Sequence, residues 1–220
     1  MTNNDIAHWQ TQFEAWHVNH GSTDDAAHDI YHFRRVWAMA DALAQEDGQG
    51  ANRLTLLAGA YFHDVVNPPK DSPLRPQASR LAADKAKELL ADMQFPPELL
   101  DGVAHAIAAH SFSANIPTET LEAKLLQDAD RMEALGAIGL ARVFYVCGKL
   151  DRALFHAEDP LCKTRTPDDS TYGVDHFFTK LLKLPNTMQT EAGKRMATQR
   201  AEVLTTYLND LERELKAPAP

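Results

Sequence analysis

The sequence predicts an all-α fold in one domain. Apolar residues recur at helical spacing along most of the chain, and that periodicity is the main signal for amphipathic helices. Alternating runs of valine or isoleucine and Asn-Gly hairpin turns are missing, so no strand is predicted. The length of 220 residues and the hydrophobic content of 44% are typical of one large domain. Since there is no internal repeat and no linker-like tract, we expect residues 1–220 to form a single domain.

Two helices are predicted in the first fifty residues. The first covers about residues 4–17, and the second continues to about residue 45 after a break at 21–23. Thr23 or Asp24 is the expected N-cap of the second helix, because short polar side chains accept hydrogen bonds from the first turn. Their apolar faces comprise Ile6, Trp9, Phe13 and Trp16 in the first helix and Ile30, Phe33, Val36, Trp37, Ala40 and Ala44 in the second.

The remaining helices alternate with two long loops. A third helix is predicted over 53–66, and the loop that follows, over 67–77, contains four prolines and several charges. That loop is a candidate rim or lid of a pocket. A second loop is predicted over 156–173, where the periodicity is lost. Further helices are predicted over 79–93, 97–110, 118–146 and 188–215, with short apolar segments around 177–184.

Charge and composition argue against several classes of protein. A net charge of -9 without any basic run argues against a nucleic-acid polymer as partner, although a small anionic substrate needs only a few local cations. No apolar run is long enough for a membrane span, and the first residues lack the pattern of a signal peptide. Cys147 and Cys162 form no CxxC pair, which is typical of a reducing compartment. We therefore expect a cytoplasmic protein without a membrane partner.

The adjacent residues His63 and Asp64 are the most unusual feature of the third predicted helix. In a helix over 53–66, Asp64 shares an apolar stripe with Leu57 and Tyr61. A carboxylate on such a face must be paired, hydrogen-bonded or metal-bound, because an isolated buried charge is costly. An imidazole is a common metal ligand when neutral. We therefore hypothesise that His63 and Asp64 bind one divalent metal ion.

Further ligands must come from other helices. In the second helix His32 lies at the flank of the apolar stripe and His28 lies further toward the polar side, so His32 is the better candidate. Asp128 and Asp130 are the carboxylate candidates later in the chain. Being two residues apart on a helix, they point roughly 200° from each other, and the helical wheel alone does not choose between them. Asp130 lies on a face of small residues, Ala123, Ala134, Ala137 and Ala141.

Four sequence blocks resemble the HD-domain metal-dependent phosphohydrolases. They are HDIYHFRRVWAMA, YFHDVVN, HAIAAHSFS and KLLQDADRMEALGAIGLARVF, within residues 25–146. They are similar to the small bacterial branch that is related to nucleotide pyrophosphohydrolases. The resemblance implies a helical bundle of the HD-domain type, with the helices of 175–215 packed on its core. It also implies one divalent ion, manganese or magnesium or another transition metal, held by His32, His63, Asp64 and Asp130, with Asp128 as the runner-up.

The resemblance also implies how the site would act. The ion would polarise the phosphoryl group and lower the pKa of its bound water, and His110 would line the pocket as a phosphate contact or proton donor. Nearby cations would balance charge on the phosphate. The candidates for this role are Arg35, Lys70, Arg75 and Arg131. The remaining histidines are scattered, are expected to be solvated, and receive no role: His8, His17, His20, His156 and His176.

One position departs from the family pattern. Three residues after the HD aspartate, several relatives carry an acid or a lysine that assists catalysis, whereas this chain has Asn67. An amide can orient water or contact a phosphate, but it cannot act as a general base. Proton transfer would then fall to the activated water, to Asp64 or to His110.

The leading hypothesis is a phosphohydrolase acting on a small phosphorylated metabolite. The specific expectation is that a nucleoside triphosphate is split into monophosphate and pyrophosphate. The sequence also leaves a homodimer open. A phosphomonoesterase or a signalling-nucleotide phosphodiesterase is the nearest enzymatic alternative. A non-catalytic nucleotide-sensing module is kept open by Asn67, and a structural metalloprotein is the least specific alternative.

Overall fold

The computed structural model describes residues 3–20, 29–47, 49–68, 72–111 and 114–216. Within these ranges the regular structure is helical, apart from one isolated bridge between Ala153 and Tyr172. The all-α prediction is therefore confirmed. None of the described helices is long and apolar enough to cross a lipid bilayer.

The chain divides into two compact units, Met1–Asp130 and Arg131–Pro220. The prediction of one domain over residues 1–220 stays a prediction, and each unit is described by itself. The described residues of the first unit form five complete helices and most of a sixth. They are α1 (Asn3–His20), α2 (Ile30–Glu46), α3 (Arg53–Phe62), α4 (Ala78–Asp92), α5 (Leu100–His110) and α6 (Leu121–Met132), with 3-10 turns at Arg75–Gln77 and Pro97–Leu99.

Aromatic side chains form the core between α1 and α3. Phe13 on α1 is buried and lies 5.0 Å, centroid to centroid, from Phe62 at the end of α3. Phe95 contacts the same cluster from the turn after α4. α3 is buried from Leu54 to Phe62 on every side, as expected for a helix at the centre of a bundle. The ends of this central helix therefore decide which polar groups enter the interior.

The second helix begins later than the residues proposed as its cap. α2 starts at Ile30, and its N-cap is Asp29, whose carboxylate accepts a hydrogen bond from the backbone N–H of His32 at 2.9 Å. The predicted caps, Thr23 and Asp24, lie outside the described residues. The cap orders the first turn of α2, which carries His32.

The third helix ends four residues earlier than predicted, at Phe62. His63 is the C-cap residue, and its N–H donates to the Gly59 carbonyl at 2.9 Å. Val65 N–H then donates to the Phe62 carbonyl at 3.2 Å, three residues back, which tightens and ends the helix. The expectation that Asp64 occupies an apolar stripe of a helix over 53–66 was therefore wrong, because Asp64 lies in the turn beyond the helix.

A break replaces the single helix predicted over 118–146. α6 ends at Met132, and 3-10 type hydrogen bonds from Ala134 and Leu135 close it. The next helix begins at Gly136, whose φ of +67° is strained for any residue with a side chain. The small-residue face assigned to Asp130 was also wrong, because Ala134, Ala137 and Ala141 lie beyond this break.

The second unit is built on three further helices. α7 (Gly136–Lys149), α8 (Asp175–Thr179) and α9 (Glu191–Leu215) are joined by the predicted loop over 156–173 and by a 3-10 segment at Leu181–Thr187. The Phe177 and Tyr207 rings stack 5.8 Å apart in its core. α9 begins at Glu191 and not at the predicted residue 188, because the Thr190 side chain caps it by accepting from Gly193 N–H at 3.0 Å.

Candidate metal centre

Two buried histidines face each other in the first unit. His32, from the first turn of α2, and His63, at the end of α3, are both fully buried, and their Nε2 atoms are 3.1 Å apart. Such a contact is a hydrogen bond only if one of the two nitrogens carries a proton, because two lone pairs repel. The position between the rings therefore requires a proton or a cation.

Two carboxylates approach His63, and one of them also approaches His32. Asp130 Oδ1, from the last turn of α6, lies 3.6 Å from His63 Nε2 and 3.8 Å from His32 Nε2. Asp64 Oδ2 lies 3.7 Å from His63 Nε2. These separations exceed hydrogen-bond length, yet they match the distances between neighbouring ligands of one metal ion with bonds of about 2.0–2.2 Å. His32, His63 and Asp130 form one group of candidate ligand atoms that all lie within 4.8 Å of one another.

A third histidine extends the centre on the other side of Asp64. His110, the last residue of α5, is buried, and its Nε2 lies 3.8 Å from Asp64 Oδ1. His63, Asp64 and His110 form a second group that meets the same 4.8 Å criterion. His63 belongs to both groups, so it stands at the middle of the centre.

Backbone carbonyls fix the tautomer of two of these rings. His63 Nδ1 lies 2.9 Å from the Ala60 carbonyl, and His110 Nδ1 lies 2.6 Å from the Ile107 carbonyl. A carbonyl only accepts hydrogen bonds, so Nδ1 carries the proton in both rings and Nε2 of the neutral ring keeps its lone pair. Metal-binding histidines usually hold their second nitrogen in this way.

The charges of the centre favour a cation. Burial lowers the pKa of His63, but Asp64 and Asp130 outweigh it and raise that pKa to about 9. Burial raises the pKa of Asp130, but the three nearby histidines outweigh it and hold that pKa well below its usual range. Without a metal, a proton on His63 therefore supplies the positive charge. A divalent ion fits the two-imidazole, two-carboxylate set, and its binding would displace that proton.

His110 differs from His63 in its electrostatics. Burial lowers the pKa of His110, and the neighbouring His63 lowers it further. The neutral ring, with its proton on Nδ1, presents a lone pair toward Asp64. In this neutral form, His110 Nε2 can accept a proton or bind a cation.

The other predicted site residues are placed as follows. Asp128 is buried but belongs to neither group of candidate ligands among the described residues. Asn67 and Arg75 are brought together, because Arg75 Nη1 donates to the Asn67 side-chain oxygen and, at 3.0 Å, to the Pro68 carbonyl. Arg35 is half-buried on α2, one turn after His32.

The structure leaves the roles of two predicted phosphate contacts untested. Lys70 lies outside the described residues. Arg131 is the first residue of the second unit, where its Nη1 donates to the Thr187 carbonyl at 2.5 Å. Their roles stay predictions.

The sequence analysis missed a buried histidine on α1. His17 was expected to be solvated, but it is buried, and its Nε2 lies 2.7 Å from the Tyr61 carbonyl. Burial lowers the pKa of His17 to about 4, so the ring is neutral near pH 7 and its Nε2–H donates to that carbonyl. The available signal was its spacing, because His17 lies one helical turn after Phe13 on the apolar face.

Comparisons with known proteins agree with this geometry. The HD domain family matches residues 29–135. YpgQ of Bacillus subtilis is 28% identical over 208 residues, which cover 93% of this chain and 92% of that protein. The crystal structure of YpgQ in complex with ADP has a TM-score of 0.71 and covers 94% of this chain and 98% of that one. An HD-superfamily hydrolase from Bacillus thuringiensis is 30% identical, with 98% of both chains covered and a TM-score of 0.71. The chain therefore belongs to the HD superfamily of hydrolases.

Proposed function

We propose that this chain is a divalent-metal-dependent phosphohydrolase that converts a nucleoside triphosphate into a monophosphate and pyrophosphate. The observation that carries the proposal is that His32, His63 and Asp130, from three separate segments of the chain, bring their ligand atoms within 4.8 Å of one another, while Asp64 lies 3.7 Å from His63 in the adjoining group with His110. The ADP bound by the relative YpgQ supports a nucleotide as substrate. We assign Mn²⁺ or Mg²⁺ as the ion, because carboxylates suit both and an octahedral ion keeps open positions for water and phosphate. The two imidazoles also suit other transition metals.

The ion, when bound, would polarise a phosphoryl oxygen and acidify a water molecule. The residues of the chain complete the reaction. In the proposed step, the water oxygen bonds to the α-phosphorus while the bond from that phosphorus to the bridging oxygen breaks. Pyrophosphate leaves with the bridging oxygen. His110 Nε2 takes the proton of the attacking water, since the neutral ring keeps its proton on Nδ1 and a lone pair on Nε2. Of the roles that the sequence left open for His110, this assignment selects the proton acceptor.

Asn67 and Arg75 would contact the substrate together. The Asn67 side-chain oxygen is bound by Arg75, so Asn67 presents its amide N–H groups to other acceptors. Both residues flank the proline-rich segment that begins three residues after Asp64. We assign this pair to phosphate oxygens, with Arg35 as a further cation. Lys70 and Arg131 remain candidates for the same task.

The metal ligands are tested by measuring metal content and hydrolysis together. Purified protein is assayed with Mn²⁺ or Mg²⁺ against nucleoside and deoxynucleoside tri- and diphosphates, cyclic nucleotides and a simple phosphomonoester, and pyrophosphate and phosphate are measured separately. We expect His63→Ala and Asp64→Ala to lose both bound metal and turnover. The matched control Asp84→Ala, an exposed carboxylate on α4, should keep both. Normal metal content in both site variants would refute the ligand assignment.

The same assay distinguishes the remaining alternatives. Asp130→Ala should lose the metal and Asp128→Ala should keep it, and the reverse result would transfer the ligand role to Asp128. His110→Gln should keep the metal and lose turnover by about 10²–10⁴-fold, the usual contribution of a proton-transfer group. Tight nucleotide binding without any product would identify a sensing module. Release of phosphate alone would identify a phosphomonoesterase.

A further inference from the structure

We propose that His17, on α1, is a positioning residue for the metal centre, and that it acts by holding the end of α3 that presents His63 and Asp64. The inference rests on the proposed function, because it concerns the same centre. It goes beyond the family resemblance, since α1 precedes the segment of 29–135 that the HD family matches.

The first step is to account for the carbonyls in the last turn of α3. The final carbonyls of a helix need partners beyond its own ladder. Gly59 accepts from His63 N–H at 2.9 Å, and Ala60 accepts from His63 Nδ1 at 2.9 Å. Phe62 accepts from Val65 N–H at 3.2 Å. The Tyr61 carbonyl accepts from His17 Nε2 at 2.7 Å. The segment that carries the HD pair thus satisfies three of these carbonyls, and α1 satisfies the fourth.

The second step is that His17 itself is rigidly held. Its ring centroid lies 4.7 Å from that of Phe33 on α2 and 5.4 Å from that of Phe62 on α3. A buried hydrogen bond that is packed by aromatic rings is shielded from water, so water cannot readily replace the donor if it is removed. His17 therefore couples the end of α3 to the helix that carries His32.

The third step is that α1 also binds the other end of Tyr61. The Tyr61 hydroxyl donates to Glu14 at 2.7 Å, and Arg34 on α2 binds the same carboxylate through two nitrogens at 2.9 and 2.6 Å. Tyr61 is thus held at its carbonyl by His17 and at its hydroxyl by Glu14. Because Tyr61 lies two residues before His63, these contacts fix the direction in which the chain leaves α3.

The test compares variants that keep or remove the donor. In His17→Gln, the amide N–H can take the place of Nε2–H. In His17→Leu the volume is retained but the donor is lost, and in His17→Asn the amide is too short to reach Tyr61. The measurements are Mn²⁺ affinity by calorimetry and, in the metal-free protein, amide hydrogen exchange at His63 and Val65. The protein is used as the full chain in both measurements.

We expect His17→Leu and His17→Asn to weaken Mn²⁺ binding by about 10–100-fold, the usual cost of losing a group that orients a ligand. Amide exchange at His63 and Val65 should accelerate in both, while exchange in α5 stays unchanged. His17→Gln should restore both properties to near the wild-type values.

Two results would overturn the inference. One is wild-type Mn²⁺ affinity and exchange in a folded donor-less variant. The other is His17→Gln behaving like His17→Leu, which would show that the donor does not account for the effect. If His17→Leu fails to fold, the pair His17→Asn and His17→Gln decides. If the wild-type chain binds no Mn²⁺, the proposed function fails, and the exchange rates of the metal-free protein still judge the role of His17.

Discussion

Two buried groups of ionisable side chains in this protein are built on opposite principles. In the metal centre, His32, His63 and Asp130 direct their ligand atoms at one position, and the carboxylate oxygen stays 3.6–3.8 Å from both imidazole nitrogens. In the second unit, the buried Asp175 accepts hydrogen bonds from both outer nitrogens of Arg165, at 2.5 and 2.6 Å, and from the Asp168 N–H at 2.6 Å. In the second group, each of these contacts pairs a hydrogen-bond donor with an acceptor. We call this group the closed network.

The difference separates a binding site from a structural network. Around Asp175, charge and hydrogen bonds are balanced within the chain, and the Arg165 guanidinium also lies over the Tyr172 ring at 5.0 Å. This network orders the loop over 156–173, which otherwise has little regular structure. In the metal centre the balance is missing, so a proton or a cation from solution completes it. Burial alone would not distinguish the two groups, whereas the direction of their donors and acceptors does.

The largest effect is expected when the closed network around Asp175 is broken. The folded protein should then lose stability. Arg165→Met leaves the Asp175 carboxylate buried without its cation, and removing one partner of a buried pair costs about 3–5 kcal/mol. The measurement is the free energy of unfolding in urea. The control is Arg213→Met, in which an exposed pair with Asp210 is lost and the cost should stay below about 1 kcal/mol. Equal effects in both variants would contradict the structural role of the Asp175 network.

An intermediate effect is expected when the metal centre is completed. A ligand that binds only the folded state stabilises it by about 2.7 kcal/mol at 100 times its Kd. Thermal unfolding with and without Mn²⁺ should show this gain in the wild-type protein and in Arg213→Met. Asp64→Asn should show none, while its metal-free stability stays close to that of the wild type. A gain of the same size in Asp64→Asn would place the ion elsewhere.

The smallest expected effect is a loss of folding stability at acidic pH. Burial raises the pKa of Asp175, but Arg165 and the Asp168 amide outweigh it and lower that pKa below 3.8. Since the folded pKa lies below the unfolded one, the unfolded chain takes up the proton first. The contribution of Asp175 is therefore fully present well above pH 3.8 and is lost as the pH falls below that value.

The acid prediction is measured as a difference between variants. The gap in unfolding free energy between wild type and Asp175→Asn should be constant from pH 7 to 5 and should shrink below pH 3.8. Glu14→Gln provides a comparison in the first unit, because Arg34 lowers the pKa of Glu14 from 4.5 to about 2. The gap in unfolding free energy between wild type and Glu14→Gln should shrink as the pH falls from 4.5 to about 2. A gap that widens in acid would mean that the sign of the shift is wrong.

The sequence was sufficient for most helices, and its resemblance to the HD family named residues that the structure brings into two adjoining groups. The helical wheel favoured His32 by its flank position, and His32 is fully buried. It did not separate Asp128 from Asp130, because both carboxylates lie on α6 and only the approach of α2 and α3 distinguishes them. That information belongs to tertiary packing, which periodicity does not contain.

The ends of helices were harder to predict than their interiors. Val65 and Val66 continue the apolar pattern of α3, so nothing local showed that side chains of His63 and His17 would take the final carbonyls. The break after Met132 falls in Glu133-Ala134-Leu135, a stretch of good helix formers, and only Gly136 marked it. The Asp175 network joins residues ten apart without any period, so no sequence pattern indicated it.

The His63-Asp64 pair lies at the C-terminal end of α3. This position has a consequence for the sequence changes that the enzyme can accept. Because α3 ends at Phe62, the chain leaves the metal ligands directly into the segment that contains Asn67, Pro68 and Arg75. Under the proposed function, insertions or replacements in that segment would alter the surroundings of the phosphate while the helix and both proposed ligands stay in place, since loops tolerate such changes better than buried helices do. The proposed metal ligands and phosphate contacts therefore lie in adjacent but separable parts of the chain. Exchanging the segment between related hydrolases is a direct route to altering the substrate while keeping the ion.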